Sequence, residues 1–554
     1  MHKIKFLAAA TLLVLAVSCS PSGKRIKPTK NVIFMLTDGT STGALAAARW
    51  YQRYMTGDSG FNLSLDPYVC GLVQTHESDC PITCSAPGMS AYMTGVLSRQ
   101  GNVSIHPLPH PGQDIYPTDP EKAFQPAATL LEAARYWQGK STGLVCTVSF
   151  THATPAAASA HHEYRWNNHE LALQQACEGL DLVFGSGIGD LTDEIRGMIA
   201  DTGATLFEDD PEGFRSFRSG RVWALFGKSM MEYEIDRSGS GQPSLSEMTA
   251  KAIELLSSNK KGFFLMVEGS KVDYAAHSED PVGLITELLE FDRAVKVATD
   301  FAKKDGNTTV VIIPDHGNCG IQIGGGGYND YETNPVDSIY EGIRNCRSSA
   351  WKMLSRIQGC PEQDIPSVFK EWTGITLRPR ELEDIKKYMY VTEDNYMKVS
   401  DTWNLLSVVA HIFTSRTHLN IIGGDHTGED VFFGVYNPHG QRPEGIIKNV
   451  DINAYLCEVM GIERPLYELT CELFSPHDVV FEGSESSITK EDGCRLLSVH
   501  GRNGVSLRIP AFHNVVYRTK EDGCTDTLRT RAQCVYATGN KKFYLDRSLG
   551  ELVK

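Results

Sequence analysis

Residues 83–95 read TCSAPGMSAYMTG and set a thiol and a hydroxyl, Cys84 and Ser85, side by side ahead of small residues and a helix-compatible run. Either is a candidate nucleophile if a base or a metal activates it. Candidate activators recur along the chain. The stretch VEGSKVDYAAH carries Glu268, Asp273 and His277. The i, i+4 spacing of Asp273 and His277 puts both on one face of a helical turn. Asp315 and His316 are adjacent, and His426 lies in GGDHTGED among glycines that permit close backbone approach. Carboxylates and imidazoles suit zinc. Each histidine alone reads more simply as a structural one; the set, taken together, reads as a metal site.

These residues need elements to bring them together. Four apolar runs end at them: NVIFMLT (31–37) before Asp38, GLVCTVSF (143–150) before His152 and Thr154, FFLMV (263–267) before Glu268, and TVVIIP (309–314) before Asp315 and His316. Short runs rich in β-branched residues predict strands buried on both faces, as in a parallel sheet. Helix-compatible stretches lie between them, at Thr42 to Tyr54, Ala127 to Trp137 and Ser244 to Ser257. The alternation predicts an open α/β sheet flanked by helices, with ligands at the carboxyl ends of its strands. A helix N-cap role accounts for any one of the acids but poorly for all four strand ends.

With 554 residues and 41% apolar content the chain can bury a large core. A formal net charge of -15 argues against nucleic-acid binding and requires any anion site to bring its own cations. Lys3 and Lys5 precede the apolar run Phe6 to Val17, which predicts a signal peptide. It ends in LAVSCS, similar to a relaxed lipobox with Cys19 as the acylated residue, so residues 1–19 predict export and a periplasmic or cell-envelope lipoprotein; ordinary cleavage nearby is the alternative. Export permits disulfides, and the 13 cysteines left after Cys19 predict at least one free thiol, with Cys84 the candidate. Residues from about 320 to 415, opening at Gly324 to Gly327 and lacking strong periodicity, read as an insertion or cap within a catalytic domain spanning 30–475. INAYLCEVMG (452–461) predicts a helix closing that core. Residues 476–554 read as a small β-rich C-terminal domain, and the pentapeptide KEDGC, at 490–494 and 520–524, suggests repeated hairpins.

The elements TDGTSTG, CSAPGMSAYMTG, THATPAAASAHHEYR, FFLMVEGSKVDYAAH, PDHGN and DHTGEDV, in that order, resemble the alkaline phosphatase family over about residues 30–462 apart from the insertion. The resemblance implies a mostly parallel α/β sheet, two zinc ions and one magnesium, and hydrolysis of phosphate monoesters through a phosphoserine. By position, Asp273, His277 and His426 would hold the first zinc. Asp38, Asp315 and His316 would hold the second, with Ser85 as the nucleophile. Asp38, Thr154 and Glu268 would hold magnesium, with His152 nearby through water. Arg165 matches the family's phosphate-clamping arginine. Family members are often homodimers. Two positions depart from the pattern. Cys84 stands where the family usually has an aspartate that orients the arginine, and Tyr274 where a basic residue is common. Rival expectations are a sulfatase, which Met89 in place of arginine in Ser85-Ala86-Pro87-Gly88-Met89 disfavours, a phosphodiesterase, and a non-catalytic metal- or glycan-binding surface lipoprotein.

Overall fold

The computed structural model describes residues 25–325 and 335–554. The signal segment, Cys19 and the end of the Gly324 to Gly327 run lie outside the described residues. A ten-stranded sheet forms the centre. Strands β1 (Asn31–Thr37), β2 (Val69–Gln74), β3 (Ser141–Ser149), β4 (Leu182–Ser186), β5 (Thr205–Glu208), β6 (Val222–Leu225), β7 (Phe263–Gly269) and β8 (Thr308–Ile313) are joined by Val431–Tyr436 and Gly445–Lys448. β1 lies between β7 and β8, parallel to both, and β3 continues the parallel order beyond β7. Val431–Tyr436 is the reversed strand, antiparallel to β8 and β2. All four apolar runs that precede the candidate site residues are therefore strands, and they occupy the middle of the sheet in the order β8-β1-β7-β3.

Burial explains why these runs carry no alternation. Val32, Phe34 and Leu36 of β1 face one core and Ile33 and Met35 the other, all fully buried. A strand covered on both faces is apolar at every position. Helix α1 (Thr42–Thr56) and the long helix Pro281–Asp305 cover the second face. Helix α2 (Ser85–Thr94) and the closing helix Asn449–Met460 cover the first.

Residues 335–418 hold a set of short helices, among them Ala350–Ile357, Ile365–Thr373, Pro379–Lys386 and Thr402–Thr414, whose apolar sides join the second core. Most of these helices run only two or three turns, too few repeats for their period to stand out in the sequence. At the C-terminus, five antiparallel strands from Glu485 to Arg529 form a meander, and a three-stranded sheet completes the chain. Both KEDGC copies are hairpin tips. In the first, Asp492 and Gly493 take φ of 47° and 86°, the left-handed values a two-residue turn requires. The inner face of this meander, with Leu497, Val499, Leu507, Ile509 and Val516, shares the first core with β1 and α2.

All thirteen cysteines among the described residues carry free thiols, so Cys84 is not distinguished in that respect. No helix among the described residues is long and apolar enough to cross a membrane.

Candidate active and metal site

The site lies at the carboxyl ends of the central strands. Asp38 directly follows β1, Glu268 is the penultimate residue of β7, and Asp315 and His316 follow β8. The chain then returns: Asn318 and Gly317 pair antiparallel with His426 and Thr427, which brings His426 over the strand ends. Ser85 begins α2, whose axis is fixed from the far side by the Tyr92 hydroxyl donating to the Pro314 carbonyl at 2.8 Å. The first turn of α2 exposes unpaired backbone N–H groups at Ser85, an arrangement that favours anions. Ser85 is 2% exposed. Its Oγ lies 3.4 Å from His316 Nε2 and 3.5 Å from Asp38 Oδ1.

Three imidazoles are oriented alike. His277 Nδ1 donates to the Gly424 carbonyl at 2.6 Å, His426 Nδ1 to Thr83 at 2.9 Å, and His316 Nδ1 to Gly317 at 3.1 Å. In the neutral imidazole each Nε2 is thereby left as an acceptor aimed into the site. His426 Nε2 and His277 Nε2 stand 3.2 Å apart, and His277 Nε2 is 3.3 Å from Asp273 Oδ2. His316 Nε2 lies 3.4 Å from Asp315 Oδ2 and 3.6 Å from Asp38 Oδ1. Acceptors bound at about 2.0–2.1 Å to one tetrahedral ion stand about 3.3 Å apart. The spacing therefore suits divalent cations. Three groupings of potential ligands emerge: Asp273, His316 and His426; Asp38, Asp315 and His316; and Asp38, His152 and Glu268. His316 stacks on His426 at 3.8 Å, so the first two groupings adjoin.

Buried acceptors without partners sharpen this fit. Asp38 Oδ2, Asp315 Oδ2, both oxygens of Glu268, Thr154 Oγ1 and His152 Nδ1 are buried and form no hydrogen bond. Leaving a buried polar atom unpaired costs about 1–3 kcal/mol, and more for a charged one. Several such oxygens converging on one volume require a cation or protons. Without the cation, burial pushes the Asp38 carboxyl well above its ordinary range, with Asp315, Asp273 and Glu268 repelling in the same direction. Burial pushes Glu268 up to about 8. Burial also raises Asp273, but its hydrogen bond to His277 and the nearby imidazoles win and hold it below the ordinary range. His277 rises to about 9, because the Asp273 partner outweighs the effect of burial.

Arg165 reaches in from the side. Its Nη1 is 3.6 Å from Cys84 Sγ, and its Nη2 donates to His152 Nε2 at 3.4 Å. The Tyr274 hydroxyl lies 3.4 Å from the same nitrogen. Burial, then the charge of Arg165, lowers His152 to about 3, so it is neutral. A cavity of about 670 Å³, bounded by Glu77, Cys84, Arg99, Gln100, His277 and His426, opens from this cluster to solvent. Every residue singled out among the described residues is thus brought to one place.

Sequence reasoning missed the residues that hold these in position. Asn318 Nδ2 donates to Asp273 Oδ1 at 2.7 Å. Gly39 donates its N–H to Asp315 Oδ1 at 3.0 Å, has φ of 56°, and leaves no room for a Cβ, which would lie 2.1 Å from Asp273 Oδ1. The Glu77 carboxylate accepts from the Cys84 amide at 3.2 Å. Asn318 and Gly39 fall inside the motifs PDHGN and TDGTSTG, which was the available signal; Glu77 carried none.

Fold and site together define an α/β protein with a clustered carboxylate–imidazole centre at its strand ends. The family model for alkaline phosphatase matches residues 29–184 and 215–462. Alkaline phosphatase 4 of Bacillus subtilis (strain 168) is 30% identical over 436 residues, covering 76% of this chain and 87% of that protein. The alkaline phosphatase of Escherichia coli (strain K12) is 31% identical over 354 residues, 52% of this chain and 70% of its own length. Among solved structures, the alkaline phosphatase of Thermus thermophilus superposes with a TM-score of 0.67 at 23% identity, covering 80% of this chain and 95% of that one. The cold-active enzyme of Shewanella sp. gives 0.66 at 23%, covering 78% and 99%. This chain belongs to the alkaline phosphatase family.

Proposed function

We propose that this protein hydrolyses phosphate monoesters to an alcohol and inorganic phosphate, with Ser85 as the nucleophile. The observation that carries the reading is the position of Ser85 Oγ, at a helix N-terminus and within 3.5 Å of Asp38 and His316 amid partnerless buried oxygens. Asp273, His277 and His426 would hold one zinc ion, and Asp38, Asp315 and His316 a second. Asp38, Thr154 and Glu268 would hold magnesium, with His152 close by. Bound there, such ions lower the pKa of a hydroxyl or water and offset the charge that builds on phosphoryl oxygens.

Ser85 Oγ gives up its proton and bonds to phosphorus as the bond to the ester oxygen breaks. The alcohol leaves with a proton, and water then cleaves the phosphoserine. Arg165 and the α2 N-terminus hold the non-bridging oxygens throughout, since catalysis of phosphoryl transfer is mostly positioning and electrostatics. Arginine suits this role because its fork matches phosphate in bidentate fashion. These local cations answer the chain's negative net charge. In the same reading the protein is exported and anchored through acylated Cys19. Cys19→Ala should then move it from the membrane fraction to the soluble one, and unchanged partitioning would contradict the anchor.

The test of the activity compares an aryl phosphate, a bis-aryl phosphate and an aryl sulfate at alkaline pH, with zinc and magnesium and after chelation. Turnover of the monoester well above the other two, lost on chelation and restored by metal, is expected. Preferential cleavage of the diester or sulfate, or no turnover with metal bound, would replace this reading.

A further inference from the structure

Two large aromatic side chains flank Arg165 and face water: Tyr164 is 52% exposed and Trp166 56%. Their rings pack on each other with centroids 4.8 Å apart. The Trp166 ring lies 5.4 Å from the Arg165 guanidinium, whose other end touches Cys84 and His152. The ring also lies against Gly101, where a Cβ would meet Trp166 Cζ3 at 3.5 Å. Gln100, the chain neighbour of Gly101, and Cys84, which Arg165 touches, line the cavity that opens from the site.

The loop that presents the pair is held at every step. The Arg165 amide donates to the Gly101 carbonyl at 2.8 Å, and the Tyr164 amide to His162 Nδ1 at 2.8 Å. Asn102 Nδ2 donates to the Glu163 carbonyl at 2.9 Å. From the C-terminal sheets, the Gly539 amide donates to Glu163 Oε1 at 2.9 Å. Nothing in this bonding requires aromatic side chains at 164 and 166. Tryptophan and tyrosine displayed rigidly to water offer large apolar faces at little entropic cost on binding.

We propose that Tyr164 and Trp166 form a stacking subsite for phosphate monoesters whose alcohol carries an aromatic ring. The inference rests on the phosphomonoesterase reading above. A phosphoryl group gripped by Arg165 would sit beside the guanidinium that the Trp166 ring approaches at 5.4 Å, which puts an aromatic alcohol within reach of the pair. A flat ring there stacks as bases stack on exposed aromatic side chains in nucleic-acid-binding proteins, without needing hydrogen bonds to specify it. The C-terminal sheets then serve the site indirectly, by fixing Glu163 beside the pair.

Adenosine 5′-monophosphate and ribose 5-phosphate carry the same primary ester and differ in the base. We expect kcat/KM to favour the nucleotide in the wild type, and Trp166→Ala to lower the ratio of the two values about tenfold. Trp166→Phe, which keeps a ring, should retain most of the preference. A ratio unchanged in Trp166→Ala, or a fall shared equally by both esters, would overturn the subsite and leave the phosphatase reading standing. Turnover of neither ester by the metal-loaded wild type would overturn that reading and take the subsite with it.

Discussion

Cys84 is the residue that most distinguishes this site. A thiol is a weak hydrogen-bond partner, and it meets Arg165 at 3.6 Å. Burial raises the Cys84 thiol further above its ordinary value, although Arg165 opposes the rise, so it stays neutral and grips the guanidinium weakly. A carboxylate in the same place would form a charge-assisted bond, roughly twice as strong. Cys84→Asp is therefore expected to tighten competitive inhibition by inorganic phosphate about fivefold, and an unchanged inhibition constant would mean that Arg165 is already fully oriented. The acceptors were legible in the sequence because each one directly follows an apolar run or sits inside a recognisable motif. Asn318, Gly39 and Glu77 were not assigned roles, since theirs depend on distances across the fold: Asn318 meets Asp273 forty-five positions away.

At the scale of elements, the helix Lys271–His277 delivers Asp273 and His277 from one face, as their spacing predicts. Its own anchor is a buried lysine. Lys271 Nζ donates to the Met231 carbonyl at 3.1 Å and lies 3.3 Å from Glu287 Oε1, with both side chains at most 5% exposed. Lys271→Met would leave the Glu287 carboxylate buried without a counter-charge, at a cost of about 3–5 kcal/mol. Denaturant unfolding should show that loss. Adding Glu287→Gln should recover part of it, because the charge goes while the Glu234 amide keeps an acceptor. A single variant as stable as the wild type would show that the pair does not anchor the helix. The central strands were legible because both faces are covered. β5 and β6, four residues each, and the short helices of 335–418 gave too little pattern to separate from loops.

Across the whole molecule, a metal held at this site would be coupled to stability. Glu268 titrates near 8 in the metal-free fold against an ordinary 4.5, and His277 near 9 against 6.5. A raised value means the fold favours the protonated group, so that contribution is complete at low pH and lost as pH rises through the folded value. His152 and His426, lowered by burial to about 3 and about 4, act in the opposite direction, but their effect is complete above about pH 6.5. Between pH 6.5 and 8 the chelated protein should therefore lose stability as pH rises. Divalent cations, which would bind the deprotonated ligands, should reverse the loss. The gap in Tm between metal-loaded and chelated protein is thus expected to widen over this range; a constant gap would mean that Glu268 and His277 do not take part in metal binding.

The central claim is that Ser85 carries the phosphoryl group. The most direct measurement is to mix the metal-loaded protein with an aryl phosphate, quench in acid, and locate phosphate on the digested chain. The account predicts phosphoserine on the peptide containing Ser85, with both the adduct and turnover absent in Ser85→Ala. Turnover retained in Ser85→Ala, or phosphate found on another residue, would contradict it.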